Sequence, residues 1–179
     1  MSVASSTSPS DESSVNIQAI VSQLLALDPT ARGAAITAMS GGLDAHLGIQ
    51  FTSVDAEQVV GHIELGPQHT QPYGLVHGGV YCALVEALGS TGAALVLLPK
   101  GLLPVGVENH TRFIKGVRAG TRLDAVAKRT LHEGRKCVFT VRVLDADGEL
   151  VAEGTLTARG LPPGQSVGGA PVLLSMGSD

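Results

Sequence analysis

The stretch GLVHGGVYCALVEALGS, Gly74 to Ser90, joins a glycine pair to a long apolar run that contains one carboxylate, Glu86. The apolar run continues to Leu98, where a proline and a glycine follow, so the sequence predicts one long buried helix. Glu86 is the only charged residue in this helix, and a carboxylate among aliphatic side chains is costly unless it has partners or a chemical role. We interpret Glu86 as a reactive group, with an ordinary solvent-facing glutamate as the alternative.

The predicted helix has two different faces. Small residues dominate the stripe that carries Glu86, whereas the opposite stripe is bulky and suits burial against a sheet. The small-residue stripe lets a backbone or a slender ligand approach Glu86 and the hydroxyl of Ser90, one turn further on. This stripe comprises Gly79, Cys82, Ala83, Glu86, Ser90, Ala93, Ala94 and Leu97, and the bulky stripe comprises Val80, Leu84, Leu88, Thr91, Leu95 and Leu98.

His77, Gly78 and Gly79 precede the helix. Glycines there leave backbone N–H groups unhindered, and the helix dipole adds partial positive charge, which favours a site for a developing oxyanion. A tight turn without a chemical role is the alternative. The joint spacing of Gly78, Glu86 and Ser90 favours the chemical interpretation, because it predicts a polarising amide and a carboxylate at one end of one helix.

The remaining sequence predicts an α+β fold in which an antiparallel sheet packs on the long helix. We expect a disordered N-terminus at 1–14, an N-terminal helix and linker at 15–42, one domain at 43–160 and a flexible tail at 161–179. Helical spacing covers 15–27, with Ser14 as a cap and Pro29 as a stop, and 31–42 are left unassigned. Strands are predicted at 47–54, 58–65, 103–114, 121–131, 136–144 and 150–158.

Composition excludes several classes of function. A net charge of −4 with scattered basic residues predicts no nucleic-acid partner, and Glu86 in mid-helix argues against a membrane span. The histidines lack metal-ligand spacing, so we predict no metal and no cofactor. Cys82 and Cys137 both lie in apolar segments, and no secretory signal is recognised, which favours the cytoplasm. Cys82 lies among aliphatic residues, which disfavours a cysteine nucleophile.

Three segments, QPYGLVHGGVYCALVEALGS, VGVENHTRF and LHEGRKCVF, resemble the acyl-CoA thioesterases of the hotdog fold. The resemblance is to the branch with a helical glutamate, which includes 4-hydroxybenzoyl-CoA, 1,4-dihydroxy-2-naphthoyl-CoA and phenylacetate-pathway thioesterases. It implies a sheet wrapped around one central helix, and a homotetramer built as a dimer of dimers. The implied reaction is hydrolysis of an acyl-CoA with an aromatic or small-to-medium acyl group to a free acid and coenzyme A. A hotdog hydratase or dehydratase, and a non-catalytic module that binds acyl-CoA, are the alternatives.

The same resemblance implies roles for individual residues. Glu86 would be the nucleophile or general base, and the backbone N–H of Gly78 would polarise the thioester carbonyl. Gln71 would hold the acyl end, and Ser90 would position water or the leaving group. His77 would shape the turn, and Gly79 and Tyr73 would lie beside the site. The dimer partner would supply the opposite wall through Asn109, His110 and Thr111. The phosphates of coenzyme A would be bound by Lys115, Arg135 and Lys136.

Overall fold

A long helix lies against one face of a six-stranded antiparallel sheet, as the sequence predicted. The computed structural model describes residues 17–162, 165–167 and 170–171. The strand order is β1-β2-β4-β5-β6-β3. The helices are α1 (Ile17–Ala26), α2 (Pro29–Met39), α3 (Gly42–Leu47) and α4 (Gly78–Leu97), with 3-10 turns at Pro67–His69 and Leu98–Lys100; the strands are β1 (Gln50–Val54), β2 (Gln58–Glu64), β3 (Leu103–Phe113), β4 (Arg122–Glu133), β5 (Lys136–Leu144) and β6 (Leu150–Leu161), and β7 (Ser166–Val167) pairs with β8 (Ala170–Pro171).

Helix α4 packs closely on the sheet because two of its glycines face large side chains. A Cβ atom on Gly89 would lie 2.6 Å from Cδ2 of Leu156, and one on Gly92 would lie 2.5 Å from the ring of Phe139. Both neighbours are fully buried. The glycines therefore set the distance between the helix and strands β5 and β6.

The two predicted faces of α4 are present, with two exceptions in each stripe. In the bulky stripe Val80, Leu84, Leu88 and Leu95 are buried, and in the small-residue stripe Cys82, Ala83, Glu86, Ser90 and Ala94 remain partly accessible. Ala93 and Leu97 belong to the small-residue stripe but are buried, whereas Thr91 and Leu98 belong to the bulky stripe but are partly accessible. The open part of that stripe is therefore the half of the helix nearer its N-terminus, around Glu86.

Pro29 begins a helix and does not merely end the preceding one. Asp28 caps α2 through its carboxylate, which accepts hydrogen bonds from the N–H groups of Thr30 at 2.9 Å and Ala31 at 3.0 Å. Proline fits the first turn because its missing N–H would have no partner there. The unassigned residues 31–39 thus belong to α2, and the buried guanidinium of Arg32 joins this helix to the last carbonyls of α1 and to Val54 O.

The start of the first predicted strand was wrong, whereas its end at Val54 is confirmed. Residues up to Leu47 form α3, which ends at Gly48 with a left-handed φ of 70°, and β1 starts at Gln50. A six-residue helix carries too few apolar positions to show a helical period. The predicted disordered segment 1–14, with the Ser14 cap, lies outside the described residues, as do parts of the predicted tail, and the domain boundaries stay predictions.

Within the described part of the chain, one helical stretch, Gly78–Lys100, is long and apolar enough to cross a membrane. Two-thirds of its apolar window, 67%, is buried inside the protein. Its apolar residues are therefore accounted for by the core that α4 forms with the sheet.

Substituting Gly89 by alanine tests the close approach of α4. The new methyl group would overpack against Leu156, which costs about 1–3 kcal/mol, whereas alanine gains about 1 kcal/mol of helix propensity. We expect Gly89→Ala to lower the free energy of unfolding by about 1 kcal/mol in urea titrations. Gly116→Ala is the matched control, because its Cβ would meet Leu75 at an ordinary 3.4 Å. Equal stability of the two variants would contradict the packing argument.

Candidate active site

Neutral hydrogen-bond donors from one chain hold both oxygens of the Glu86 carboxylate. The hydroxyl of Ser90 donates to Oε1 at 3.0 Å, and Nδ2 of Asn109 donates to Oε2 at 3.0 Å and to the carbonyl of Cys82 at 3.1 Å. No cation forms an ion pair with Glu86 among the residues that the structure describes. The carboxylate is therefore oriented without being neutralised.

Strand β3 supplies the wall that faces Glu86. A Cβ atom on Gly106 would lie 2.5 Å from Oε1 of Glu86, so any other residue there would displace the carboxylate from its present position. A bulge in the pairing of β3 with β6 lies between Gly106 and Glu108. The glycine inside a strand sequence is the signal that could have identified Gly106 from the sequence.

The three residues predicted on the partner's wall have different environments. Asn109 contacts Glu86 of its own chain, which differs from the expectation that it would act across a dimer. The hydroxyl of Thr111 donates to Oδ1 of Asn109 at 2.8 Å, which leaves the NH₂ group of that amide to face the carboxylate. His110 is exposed and lies 2.8 Å from Glu108, away from the site. Strand β3 thus brings Asn109 into contact with Glu86, and Thr111 into a hydrogen bond that orients Asn109.

His77 caps the N-terminus of α4. The Nδ1 atom of its ring accepts a hydrogen bond from the backbone N–H of Gly79 at 2.9 Å, and the backbone N–H of His77 donates to the carbonyl of His69 at 2.8 Å. The N–H of Gly78 has no acceptor within the described part of the chain. Of the two glycine amides at the helix start, Gly78 is therefore the one free to bind a ligand oxygen.

A buried histidine that the sequence did not identify anchors the loop before α4. His69 is 2% exposed; its Nδ1 accepts from the N–H of Gly66 at 2.8 Å, and Nε2 lies 3.0 Å from the carbonyl of Leu47. The following turn is closed by a hydrogen bond from the N–H of Gly74 to the carbonyl of Gln71 at 2.9 Å. His69 thereby ties the segment that carries Gln71 and His77 to the end of α3.

A groove of about 330 Å³ opens at the start of α4. It brings the predicted residues Gln71, Gly78 and Lys115 together, and Glu86 is not part of its lining. Tyr73, at the tip of the preceding turn, is 81% exposed. The groove is lined by Gln71, Leu75, Val76, Gly78, Tyr81, Phe113, Ile114, Lys115 and Gly116.

Gly78 and Glu86 of one chain are too far apart to act on one carbonyl group. They are eight residues apart in one helix, which corresponds to about 12 Å along the axis. The Glu86 carboxylate is also held by Ser90, on the side away from Gly78. The expectation that the amide and the carboxylate meet at one end of the helix is therefore wrong for a single chain.

The predicted phosphate-binding cations differ in their availability. The ammonium of Lys115 binds Asp145 at 3.1 Å and also Glu149, and these two carboxylates raise the pKa of Lys115. Arg135 and Lys136 lie at the turn between β4 and β5, without an ion pair to any described residue. The described residues also contain no cluster of three or more histidine, cysteine, aspartate or glutamate side chains that could hold a metal.

A second carboxylate lies near Glu86 and was missed by the sequence analysis. Asp44 is half-buried on α3, which packs beside α4. Burial raises the pKa of Asp44, and the negative charge of Glu86 raises it further. The two carboxyl groups therefore share one electrostatic environment although they are far apart in sequence.

Removing the charge of Glu86 should lower the pKa of Asp44. In Glu86→Gln the repulsion disappears, while burial still holds the pKa of Asp44 above its ordinary value. Carboxyl-carbon NMR titration of the two proteins measures the difference. Glu57→Gln, on the turn between β1 and β2, is the control and should leave the titration of Asp44 unchanged. An unchanged Asp44 titration in Glu86→Gln would contradict the proximity of the two groups.

Comparison with known proteins agrees with this architecture. The family model of the thioesterase superfamily matches residues 73–152. Rv1847 of Mycobacterium tuberculosis is 32% identical over 121 residues, which are 66% of this chain and 85% of that protein, and its structure superposes with a TM-score of 0.64.

Two further proteins are similar over comparable lengths. AziG of S. sahachiroi is 33% identical and superposes with a TM-score of 0.65 over 68% of this chain and 98% of that one. A 1,4-dihydroxy-2-naphthoyl-CoA hydrolase of Listeria monocytogenes is 29% identical over 111 residues, 62% of this chain and 88% of that enzyme. With its hotdog architecture and these relatives, the chain belongs to the thioesterase superfamily and is a thioester hydrolase.

Proposed function

We propose that this protein hydrolyses an acyl-CoA to a free acid and coenzyme A, with Glu86 as the nucleophile or general base. The observation that carries the proposal is the Glu86 carboxylate, oriented by Ser90 and Asn109 on a helix that has no other charge. The similarity to a 1,4-dihydroxy-2-naphthoyl-CoA hydrolase supports coenzyme A as the thiol.

The chemistry requires an ionised carboxylate and a donor at the thioester oxygen. Glu86 either attacks the carbonyl carbon, expelling the thiolate and leaving an anhydride for water to cleave, or removes a proton from an attacking water. In both routes negative charge develops on the carbonyl oxygen, where the free N–H of Gly78 would stabilise it. Gln71, in the same groove, would hold the acyl end. Neutral donors suit Glu86 because a paired cation would reduce its basicity.

We infer that each site combines Gly78 and Gln71 of one subunit with Glu86 of another, because about 12 Å of helix separates Gly78 from Glu86 within a chain. The edge strand β3 supports a dimer: in the described sheet it pairs with β6 alone, and unpaired strand edges add strands readily. Val107, 59% exposed, presents an apolar side chain on this strand. We further propose that two such dimers associate into a homotetramer.

The turn between β4 and β5 is the proposed place of the coenzyme A phosphates. Lys136 lies opposite Arg159 in the pairing of β5 with β6 and opposite Glu133 in the pairing of β4 with β5. Glu133 forms no ion pair with Lys136, so the two cations in register favour binding of an anion. Arg135 adds a third cation at the same turn. Lys115 contributes less to this role because Asp145 and Glu149 already occupy its ammonium. The cytoplasmic location stays a proposal, supported by two free cysteines.

Replacing Glu86 by glutamine should abolish turnover without unfolding the protein. The amide keeps the shape of the side chain but cannot attack or accept a proton, so we expect kcat to fall by about 10²–10⁴-fold. Thiol release from a panel of acyl-CoAs measures kcat, and calorimetry with a non-hydrolysable acyl-CoA analogue checks that binding persists. Glu57→Gln is the control with normal kcat. Near-normal turnover in Glu86→Gln would end the proposed role of Glu86, and acyl-CoA binding without hydrolysis by the unmodified protein would favour a binding module.

Mixing two inactive variants tests the shared site. Gly78→Pro removes the N–H at a position where proline fits a helix, and His77 before it is already extended, with φ −66° and ψ 135°. We expect kcat to fall about 10²–10³-fold in Gly78→Pro and to be retained in Gly78→Ala, which keeps the N–H. Co-expressed Gly78→Pro and Glu86→Gln chains should recover about a quarter of the wild-type activity, since half of the dimers then carry one intact site. No recovery would mean that each chain holds its own complete site.

A further inference from the structure

The hydroxyl of Tyr81 is a buried polar group that the proposed reaction does not use. Tyr81 lies in the first turn of α4, is 3% exposed and lines the groove at the start of this helix. Among the described residues it provides the one buried side-chain nitrogen or oxygen without a hydrogen-bond partner. Native proteins rarely leave a buried hydroxyl unpaired, so this group calls for a partner that the isolated chain lacks.

The missing partner is an acceptor. Burial raises the pKa of Tyr81, and the backbone of Val117 lowers it by less, so the hydroxyl keeps its proton at neutral pH. The Val117 backbone lowers the pKa of Tyr81, which is the effect of a donor to the phenolic oxygen, and an N–H group cannot accept the hydroxyl proton. The proton of the hydroxyl therefore has no acceptor, and an oxygen atom of a ligand would supply one.

The groove beside Tyr81 has a mostly apolar lining. Leu75, Val76 and Ile114 contribute apolar side chains, and the polar groups of the lining are Gln71, Lys115 and the free N–H of Gly78. This combination of apolar walls with a few fixed polar groups is typical of sites that bind small organic molecules. A volume of about 330 Å³ suits an aromatic or short acyl group.

Phe113 is the movable part of the groove. Its ring packs on that of Tyr81 with centroids 5.8 Å apart, and it also lies against Gly78. More than half of Phe113 is exposed, so turning its side chain away sacrifices little buried area. A bound acyl group could take the place of this ring and reach the hydroxyl of Tyr81.

We propose that the hydroxyl of Tyr81 donates a hydrogen bond to an oxygen substituent of the acyl group and selects acyl-CoAs that carry a hydroxyl or keto oxygen over their hydrocarbon counterparts. This specificity role rests on the proposed function as an acyl-CoA thioesterase. A site built to hydrogen-bond a substrate group discriminates against analogues that lack it, because its own polar group is then left unpaired. One neutral hydrogen bond corresponds to about five- to tenfold in kcat/KM.

Tyr81→Phe removes the hydroxyl and keeps the ring. The test compares kcat/KM of both proteins on pairs that differ by one oxygen: benzoyl-CoA with each hydroxybenzoyl-CoA isomer, and butanoyl-CoA with 3-hydroxybutanoyl-CoA. We expect the unmodified protein to prefer the hydroxylated member of at least one pair, and Tyr81→Phe to lose about five- to tenfold of that preference while retaining turnover of the hydrocarbon member. An unchanged ratio, or an equal loss on both members, would overturn the proposal.

Two further measurements separate this proposal from the proposed function. The melting temperature of Tyr81→Phe should not fall, because the hydroxyl has no partner to lose; a lower value would reveal a structural bond and overturn the proposal. Calorimetry measures the affinity of the same acyl-CoA pairs for two inactive proteins, the Glu86→Gln variant and the double variant that also carries Tyr81→Phe. The comparison tests selectivity in binding without catalysis. If the unmodified protein hydrolyses no acyl-CoA, the proposed function fails, whereas unselective binding in both variants overturns the role of Tyr81.

Discussion

The close contact of α4 with the sheet is the constraint on which the rest of the structure depends. Gly89 and Gly92 bring the helix against Leu156 and Phe139, so the side of α4 that faces the sheet is fully occupied by packing. A polar side chain on that side would be buried without partners. The single carboxylate of the helix is accommodated because Glu86 lies on the remaining, partly open side, where strand β3 comes close at Gly106.

The polar environment of Glu86 is suited to chemistry more than to stability. A buried ion pair would hold the carboxylate firmly but would lower its affinity for a proton and its reactivity. Ser90 and Asn109 instead restrict its orientation through neutral hydrogen bonds, and Thr111 fixes the amide of Asn109 in turn. Burial and the negative charge of Glu86 both raise the pKa of the neighbouring Asp44.

The rise of an α-helix explains why one chain presents two incomplete half-sites. The groove near Gly78 offers hydrogen-bond donors and apolar walls, and the region around Glu86 offers a carboxylate. About 12 Å of helix between them is fixed by backbone geometry and no side-chain rearrangement removes it. A second subunit is the proposed source of the missing half, and β3, which pairs with β6 alone in the described sheet, is the edge at which such a partner would add.

The amino-acid sequence determined the features that depend on local periodicity. The long apolar helix, the alternating strands and the glycine pair at the helix start were all predicted, because hydrophobic spacing and backbone preferences act over a few residues. Helix α2 could have been predicted with the same rules from Asp28 and Pro29, whereas α3 is too short to show a period.

Tertiary structure alone decided which distant residues meet. Asn109 and Asp44 approach Glu86 from distant parts of the sequence, and His69 likewise binds the distant carbonyl of Leu47. The burial of the Tyr81 hydroxyl without a partner among the described residues depends on how such segments pack. No local pattern encodes such contacts, since they depend on strand register and on the angle at which α4 crosses the sheet.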